Sequence, residues 1–470
     1  MFRSNKIFRS IAETITKENF KLSRLTNGLR VLTCDDGNGI TGLGLFMLNA
    51  TKFEEEGSYG AAAVYEAMPQ HGGEFINERE VSETLGMFGN AFKVTNNKEA
   101  LSVFLMMPRY HRNEGLDLLN AICLHPSHRM EDFELAKEST RQRSQMMARD
   151  PTSTLFEMVH EAGWSGRGLG SPLCPSEETL GQLSLDNFHK FFRRFTRPDR
   201  AVLAATGVAD HEEFALQVEK RLQFDYDDTP LTIPQHPYTG GSRLLQNTEA
   251  PESMNKFQEK NLSHVALFFK GIPVSHPDYY TVSVIQTLLG GGTSFSSGGP
   301  GKGMQTKLFR EVLNREGGIH GMECITAWYS DGGLIGLYGS APHENVQRLL
   351  AIMMQQGASI SKRVTNAHLE MAKNQLSSQL ILLGEGREQL LNDMGFNMVV
   401  HNHIVTPAET MEGSKLVTLE NLQKVCDEMI QKPITFASTG RHVECRRMKV
   451  RGNDAHLIHQ VEQVMFQIMF

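Results

Sequence analysis

Cysteine and tryptophan are scarce: the 470 residues include 6 of the first and 2 of the second. Cys34, Cys123, Cys174, Cys324, Cys426 and Cys445 are widely scattered and form no Cys-x-x-Cys pair. That argues against a disulfide scaffold or a cysteine zinc cage and fits thiols kept reduced. Long apolar runs are also missing. The best, residues 43–50, is strand-sized, far short of the roughly 20 residues that cross a bilayer. No transmembrane segment is expected. A formal charge of −7 leaves no cationic surplus for nucleic acid as a partner. Neither His-Glu-x-x-His nor His-x-x-Glu-His occurs.

What is present is ordinary for a globular chain: 40% apolar residues, 21% charged and no low-complexity tract. The length suits two to four domains, and each half can bury its own core. At the N-terminus Arg3, Lys6 and Arg9 precede the first acid, Glu13, with Phe2, Ile7, Phe8 and serines between them. Residues 1–20 thus have the composition of a mitochondrial targeting segment, and equally that of a frayed basic terminus.

The chain repeats itself. Leu135-Ala136-Lys137 within a helical run is echoed by Met371-Ala372-Lys373. Leu183 to Phe188 is echoed by Val417 to Leu422, each with a helix N-cap, Ser184 or Thr418, before an acid. Each such helix leads to a strand ending in Ala205-Thr206-Gly207 or Ser438-Thr439-Gly440. The order and spacing agree, so the chain reads as two copies of one module.

Residues 41–49 and 264–270 read as the first core strand of each copy, and 101–107 and 333–338 as a later one. Helices follow over 113–123 and 344–356. Strands and helices without regular alternation predict an α+β fold: two modules, each a mostly antiparallel sheet carrying helices, facing each other across a cavity. The modules are expected at 21–224 and 260–470. The proline- and glycine-bearing stretch 225–259 reads as a linker.

The most unusual segment is residues 290–304, with seven glycines. It exposes many amides and few side chains, and the glycines are expected to prevent regular structure. It is no P-loop: Gly301-Lys302 is followed by Gly303, and Ser296 stands where the opening glycine belongs. A flexible connector is one reading. Phe295 and Pro300 among the glycines, and apolar helical flanks at 280–289 and 305–313, favour a ligand clamp. The candidate substrate-binding residues are Gly290, Gly291, Gly292, Ser294, Phe295, Gly298, Gly299, Pro300, Gly301, Lys302 and Gly303.

This segment, continuing through Gln305 to Asn314, resembles the glycine-rich signature of the mitochondrial processing peptidase α subunits in peptidase family M16. The core subunits of the cytochrome bc1 complex are related to them. Lys52-Phe53-Glu54 resembles the Arg-aromatic-Glu before that family's metal helix, and Pro198 to Gly207 resembles the strand closing its first module. The likeness runs from about Leu22 onward. Catalytic members hold zinc with His-x-x-Glu-His and a distant Glu, the Glu of the motif acting as general base. Here Ala63-Val64-Tyr65-Glu66-Ala67 takes that place, and Arg143 falls near the third ligand. His160, His401 and His403 lack partners at ligand spacing and read as surface or capping residues.

The resemblance therefore implies a chain with no catalytic residue, metal or cofactor of its own. It would pair with a zinc-bearing β subunit as a heterodimer in the mitochondrial matrix and hold the presequences of imported precursors. The alternative it implies is a structural core subunit of complex III, at the matrix side of the inner membrane among that complex's other subunits.

Overall fold

Strand β3, Ile40–Met47, shows how alternation sorts the core. Successive side chains point to opposite faces. Leu43, Leu45 and Met47 join one apolar cluster, while Phe46 joins another on the reverse face, beside Gly42 and Gly44. A strand buried on both faces needs layers on both sides, and the fold supplies them. This computed structural model describes residues 19–35, 39–246, 262–293, 304–383 and 386–440.

The first sheet contains β1 (Phe20–Arg24), β2 (Arg30–Cys34), β3, β4 (Phe92–Asn96), β5 (Leu101–Pro108) and β6 (Ala201–Thr206) in the order β1-β2-β6-β3-β5-β4. The second contains β7 (Gly241–Gln246), β8 (Leu262–Lys270), β9 (Gly291–Thr293), β10 (Gly321–Trp328), β11 (Gly333–Pro342) and β12 (Ile434–Gly440) in the order β7-β12-β8-β11-β10-β9. With β1 and β9 removed, the two orders are the same path. Each has one parallel pair, β2 with β6 and β7 with β12, and is otherwise antiparallel. The α+β fold and the duplication read from the sequence are both present.

The helices used below are α1 (Ala61–Ala67), α2 (Arg112–Leu119), α3 (Met130–Ala148), α4 (Pro151–Gly163), α5 (Leu185–Phe195), α6 (Tyr279–Leu289), α7 (Val346–Arg363), α8 (Asn366–Leu383), α9 (Arg387–Phe396) and α10 (Leu419–Ile430). The repeated N-caps are real: Ser184 Oγ accepts from the Asn187 amide and Thr418 Oγ1 from the Asn421 amide, both at 3.2 Å. Each satisfies a first-turn N–H that has no partner within its helix.

Some elements differ from their sequence expectations. Residues 41–49 and 264–270 form β3 and β8, but neither strand is the first of its sheet. β1 and β2 precede one and β7 the other. β7 also lies inside the stretch read as linker. It is an edge strand opening Gly-Ser-Arg, and its parallel partner β12 is nearly two hundred residues away, so no local pattern announces it. Residues 247–261 and the N-terminal residues 1–18 lie outside the described residues.

The chain divides into two compact units that exchange segments. Unit 1 comprises Met1–Ser144, Leu173–Pro234 and Ser377–Thr410; unit 2 comprises Gln145–Pro172, Gln235–Leu376 and Met411–Phe470. In unit 1, α9 packs on β3 and β6 through Leu390, Leu391 and Met394, against Phe46, Phe104, Val202 and Ala204. In unit 2, α4 packs on β12, β7 and β8, with Leu155, Val159 and Trp164 against Ala266, Phe268 and Ala437. Each sheet is thus covered on one face by a helix from the other copy's stretch of the chain.

His160 on α4 corrects the reading of it as a surface or capping residue: it is fully buried. Its Nδ1 lies 2.7 Å from the Phe156 carbonyl and so carries the proton. Nε2 then accepts from the Tyr329 hydroxyl at 2.5 Å. A neutral imidazole with both nitrogens satisfied is a stable core group.

Candidate functional site

The place where the family's metal motif would fall lies in unit 1, on α1. That helix starts after Gly60, which holds a left-handed φ of 88° and supplies no side-chain cap. Glu54 caps it from a distance: its Oε1 accepts from the Ala62 amide at 2.9 Å. Burial pushes the Glu54 carboxyl up to about 7, against the amides of Ala62 and Gly60 and the charge of Lys98. Lys52, the first residue of the same tripeptide, pairs with Glu99 at 2.7 Å. The Lys52-Phe53-Glu54 motif therefore fixes the entry of α1 rather than reaching a ligand. The other end of the helix is anchored by the Tyr65 hydroxyl, which donates to the Cys123 carbonyl.

Helix α3 lies against α1. The Thr140 hydroxyl donates to the Ala136 carbonyl at 2.8 Å and lies 3.2 Å from the Ala63 carbonyl. Arg143, three residues on and therefore on the same face, forms an ion pair with Glu66. The expected neighbourhood of Arg143 and the motif is thus real in space. Burial raises the Glu66 carboxyl above its ordinary range, while Arg143 and the Asn96 amide oppose that shift. Sequence reasoning did not find Thr140 or Asn96. The spacing of Thr140 from Arg143 was a usable signal, whereas Asn96 arrives from β4, 30 residues away from Glu66.

The donor set does not fit zinc. Ala63 and Ala67 offer methyl groups without lone pairs, and a guanidinium has donors only. The one remaining carboxylate is neutralised by Arg143. Among the described residues no three His, Cys, Asp or Glu side chains gather at metal-binding distance. Purified chain is expected to hold less than about a tenth of a zinc ion per molecule after dialysis and to cleave no precursor peptide. Metal analysis finding one tightly bound zinc per chain overturns this.

The glycine segment lies in unit 2, in the topological position that follows α1 in unit 1: it leaves α6, the counterpart of α1. Gly290 ends α6 with φ 54°, and a Cβ there would meet Thr306 Cγ2 at 2.3 Å. Gly291 has φ 117°, and a Cβ would lie 2.1 Å from the Met322 carbonyl oxygen. Only glycine fits at these two positions. The amide of Gly291 donates to Thr306 Oγ1 at 3.2 Å, and residues 291–293 pair antiparallel with β10 as edge strand β9. This corrects the expectation that the glycines prevent regular structure: Gly290, Gly291 and Gly292 are built into the sheet edge. Backbone pairing needs no side chain, so glycine composition alone could not reveal it. Ser294, Phe295, Gly298, Gly299, Pro300, Gly301, Lys302 and Gly303 lie outside the described residues.

Comparison with known proteins places these features. The family model described as "Insulinase (Peptidase family M16)" matches residues 31–176, and "Peptidase M16 inactive domain" matches residues 182–376. A "Probable mitochondrial-processing peptidase subunit alpha" of Schizosaccharomyces pombe is 25% identical over 426 residues, covering 89% of this chain and 84% of its own length. The "Mitochondrial-processing peptidase subunit alpha" of Bos taurus is 26% identical over 430 residues, covering 89% and 82%. A solved structure titled "Complex III2 from Candida albicans, Inz-5 bound" contains a chain with a TM-score of 0.76 at 15% identity, covering 95% of this chain and 99% of that one. That likeness establishes the fold. With the two family models matched in tandem over residues 31–176 and 182–376, the chain is a member of peptidase family M16 whose Ala63, Ala67 and Arg143 offer no zinc donors.

Proposed function

We propose that the chain is the substrate-recognition subunit of a heterodimeric mitochondrial processing peptidase. In this reading it works in the matrix, and a zinc-bearing β subunit performs the cleavage. The observation that carries it is the Glu66–Arg143 ion pair within an otherwise kept M16 fold. A chain that keeps the peptidase architecture and fills its metal site with a salt bridge retains a use other than hydrolysis. Relatives named as α subunits match along about nine-tenths of it. Among the described residues no helix is long and apolar enough to cross a membrane.

The glycine segment is assigned the recognition task. Gly290, Gly291 and Gly292 anchor it to the sheet edge, and the residues from Ser294 to Gly303 contact the precursor. A backbone rich in glycine can adapt to many extended presequences, because main-chain contacts tolerate varied side chains. Deleting Gly298 to Lys302 is expected to weaken presequence binding about tenfold, roughly 1.4 kcal/mol, while leaving the heterodimer assembled. Replacing Gly299 and Gly301 by alanine is expected to do the same more mildly, by restricting φ. Fluorescence anisotropy with a labelled presequence, beside size-exclusion of the heterodimer, reads both. A deletion variant that assembles and binds as tightly as the parent makes the segment a connector only.

A second reading, a core subunit of complex III without a peptidase role, is favoured by one observation: the fold likeness to a chain of that complex covers almost the full length of both. Affinity purification of the tagged native protein separates the two. A soluble zinc peptidase as sole partner supports the first reading; cytochromes b and c1 support the second.

A further inference from the structure

Unit 2 contains a cavity of about 420 Å³, bounded by the C-terminal end of α6, residues 305–316, α7 and the N-terminal half of α8. Four cations line it: Lys307, Arg310, Arg315 and Arg363. Against them stand two carboxylates, Glu311 and Glu316, and both are already engaged. Glu311 Oε2 accepts from Lys307 Nζ at 2.5 Å, and Glu316 pairs with Arg348, which is not a lining residue. Arg310, Arg315 and Arg363 have no ion pair among the described residues. The chain is acidic overall, yet this cavity carries a surplus of two positive charges.

The Lys307 ammonium is fixed. Besides Glu311 it donates to Gln356 Oε1 at 2.6 Å, and Gln356 is buried. Burial lowers the Lys307 pKa, Glu311 opposes that shift, and the charge of Arg363 adds to it. Arg363 thus acts on both members of that pair, repelling Lys307 and attracting Glu311. Like charges held together in one concavity, with Glu311 already paired to Lys307 and Glu316 to Arg348, are relieved by an external anion. Guanidinium forks match the tetrahedral oxygens of phosphate, and charge-assisted bonds of this kind are the strong ones. Leu288, Val312 and Ile352 add apolar wall, and the volume is that of a small-molecule site.

We propose that this cavity binds a phosphate group through Arg310, Arg315 and Arg363, with Lys307 as a fixed cation behind them. The phosphate belongs either to a free small organic phosphate or to a phospholipid headgroup. The site uses none of the residues between Ser294 and Gly303, and it is independent of the presequence reading.

The test uses the full chain and two probes. Titration calorimetry with pyrophosphate at constant ionic strength, beside a chloride control, reports the free ligand. Flotation with phosphatidic acid vesicles, beside phosphatidylcholine vesicles, reports the headgroup. The double variant R310Q/R363Q alters two exposed side chains. It is expected to melt like the parent without ligand and to bind at least tenfold more weakly to whichever probe the parent binds. R315Q gives the same reading should the double variant fail to fold. Binding to either probe that these variants lose sustains the phosphate site. No binding by the parent to either probe, or equal binding by parent and variants, overturns it.

Discussion

Replacing Gly395 by valine is expected to destabilise unit 1 severely, by about 3 kcal/mol or more, the upper range of core overpacking. Helix α9 crosses β3 where that strand carries Gly42 and Gly44, and Leu391 settles over both glycines. A Cβ on Gly395 would lie 1.9 Å from Phe46 Cε2, a contact that no rotamer change of valine relieves. Phe46 itself is fully buried and packs edge-to-face on Phe104, so it has no free space to enter. Combining Gly395→Val with Phe46→Ala should recover part of the loss, because the cavity left by one side chain receives the other. Gly357 on α7 is the control, with nothing within 4 Å of its would-be Cβ. There alanine should stabilise by about 0.5–1 kcal/mol through helix propensity. Thermal melts followed by circular dichroism read all of these. Equal melting temperatures for the parent and Gly395→Val would falsify the packing of α9 on the first sheet.

The second large effect concerns Arg143. Replacing it by methionine leaves the Glu66 carboxylate largely buried without its cation. Breaking a buried pair costs about 3–5 kcal/mol; both side chains keep some solvent contact, so about 1–3 kcal/mol is expected here. The pH dependence has a definite sign. The folded Glu66 pKa is already raised by burial, and losing Arg143 raises it further. Between the unfolded value of 4.5 and that higher folded value, the folded state binds the extra proton. Stability of the variant should therefore fall as pH rises through this window, and its deficit against the parent should grow from acid toward neutral. Adding Glu66→Gln should remove the pH-dependent part.

Restoring the donor set extends the argument. The triple variant A63H/A67H/R143E carries both imidazoles and the distant carboxylate. Without metal, the carboxylates of residues 66 and 143 repel. With zinc at about 100 times its dissociation constant, roughly 2.7 kcal/mol of stabilisation is expected, read as a zinc-dependent rise in melting temperature that the parent lacks. Absence of that rise, with the fold intact, means that the backbone here no longer holds ligand geometry.

Much of this was legible in the sequence because it depends on residue identity or short spacing. The echo of Ser184 by Thr418 announced two copies, because N-capping is local chemistry. That residues 63 and 67 offer no zinc donor was equally legible, since alanine has no lone pair in any conformation, and the family resemblance put Arg143 near the same place, where it pairs with Glu66. Composition excluded a cysteine cage in the same direct way. What only the tertiary structure decided are pairings between residues far apart in the chain. Strand β7 exists because β12 lies beside it, and its own Gly-Ser-Arg start carries no alternation. Gly290 to Gly292 became ordered because β10 supplied an edge, a backbone interaction with no side-chain signature. His160 went inside because Tyr329, 169 residues away, completes its hydrogen bonds. The exchange of α4 and α9 is the clearest case. Helix α4 carries an apolar face and α9 only scattered apolar residues, and neither names the sheet that covers it, because hydrophobic burial is non-directional.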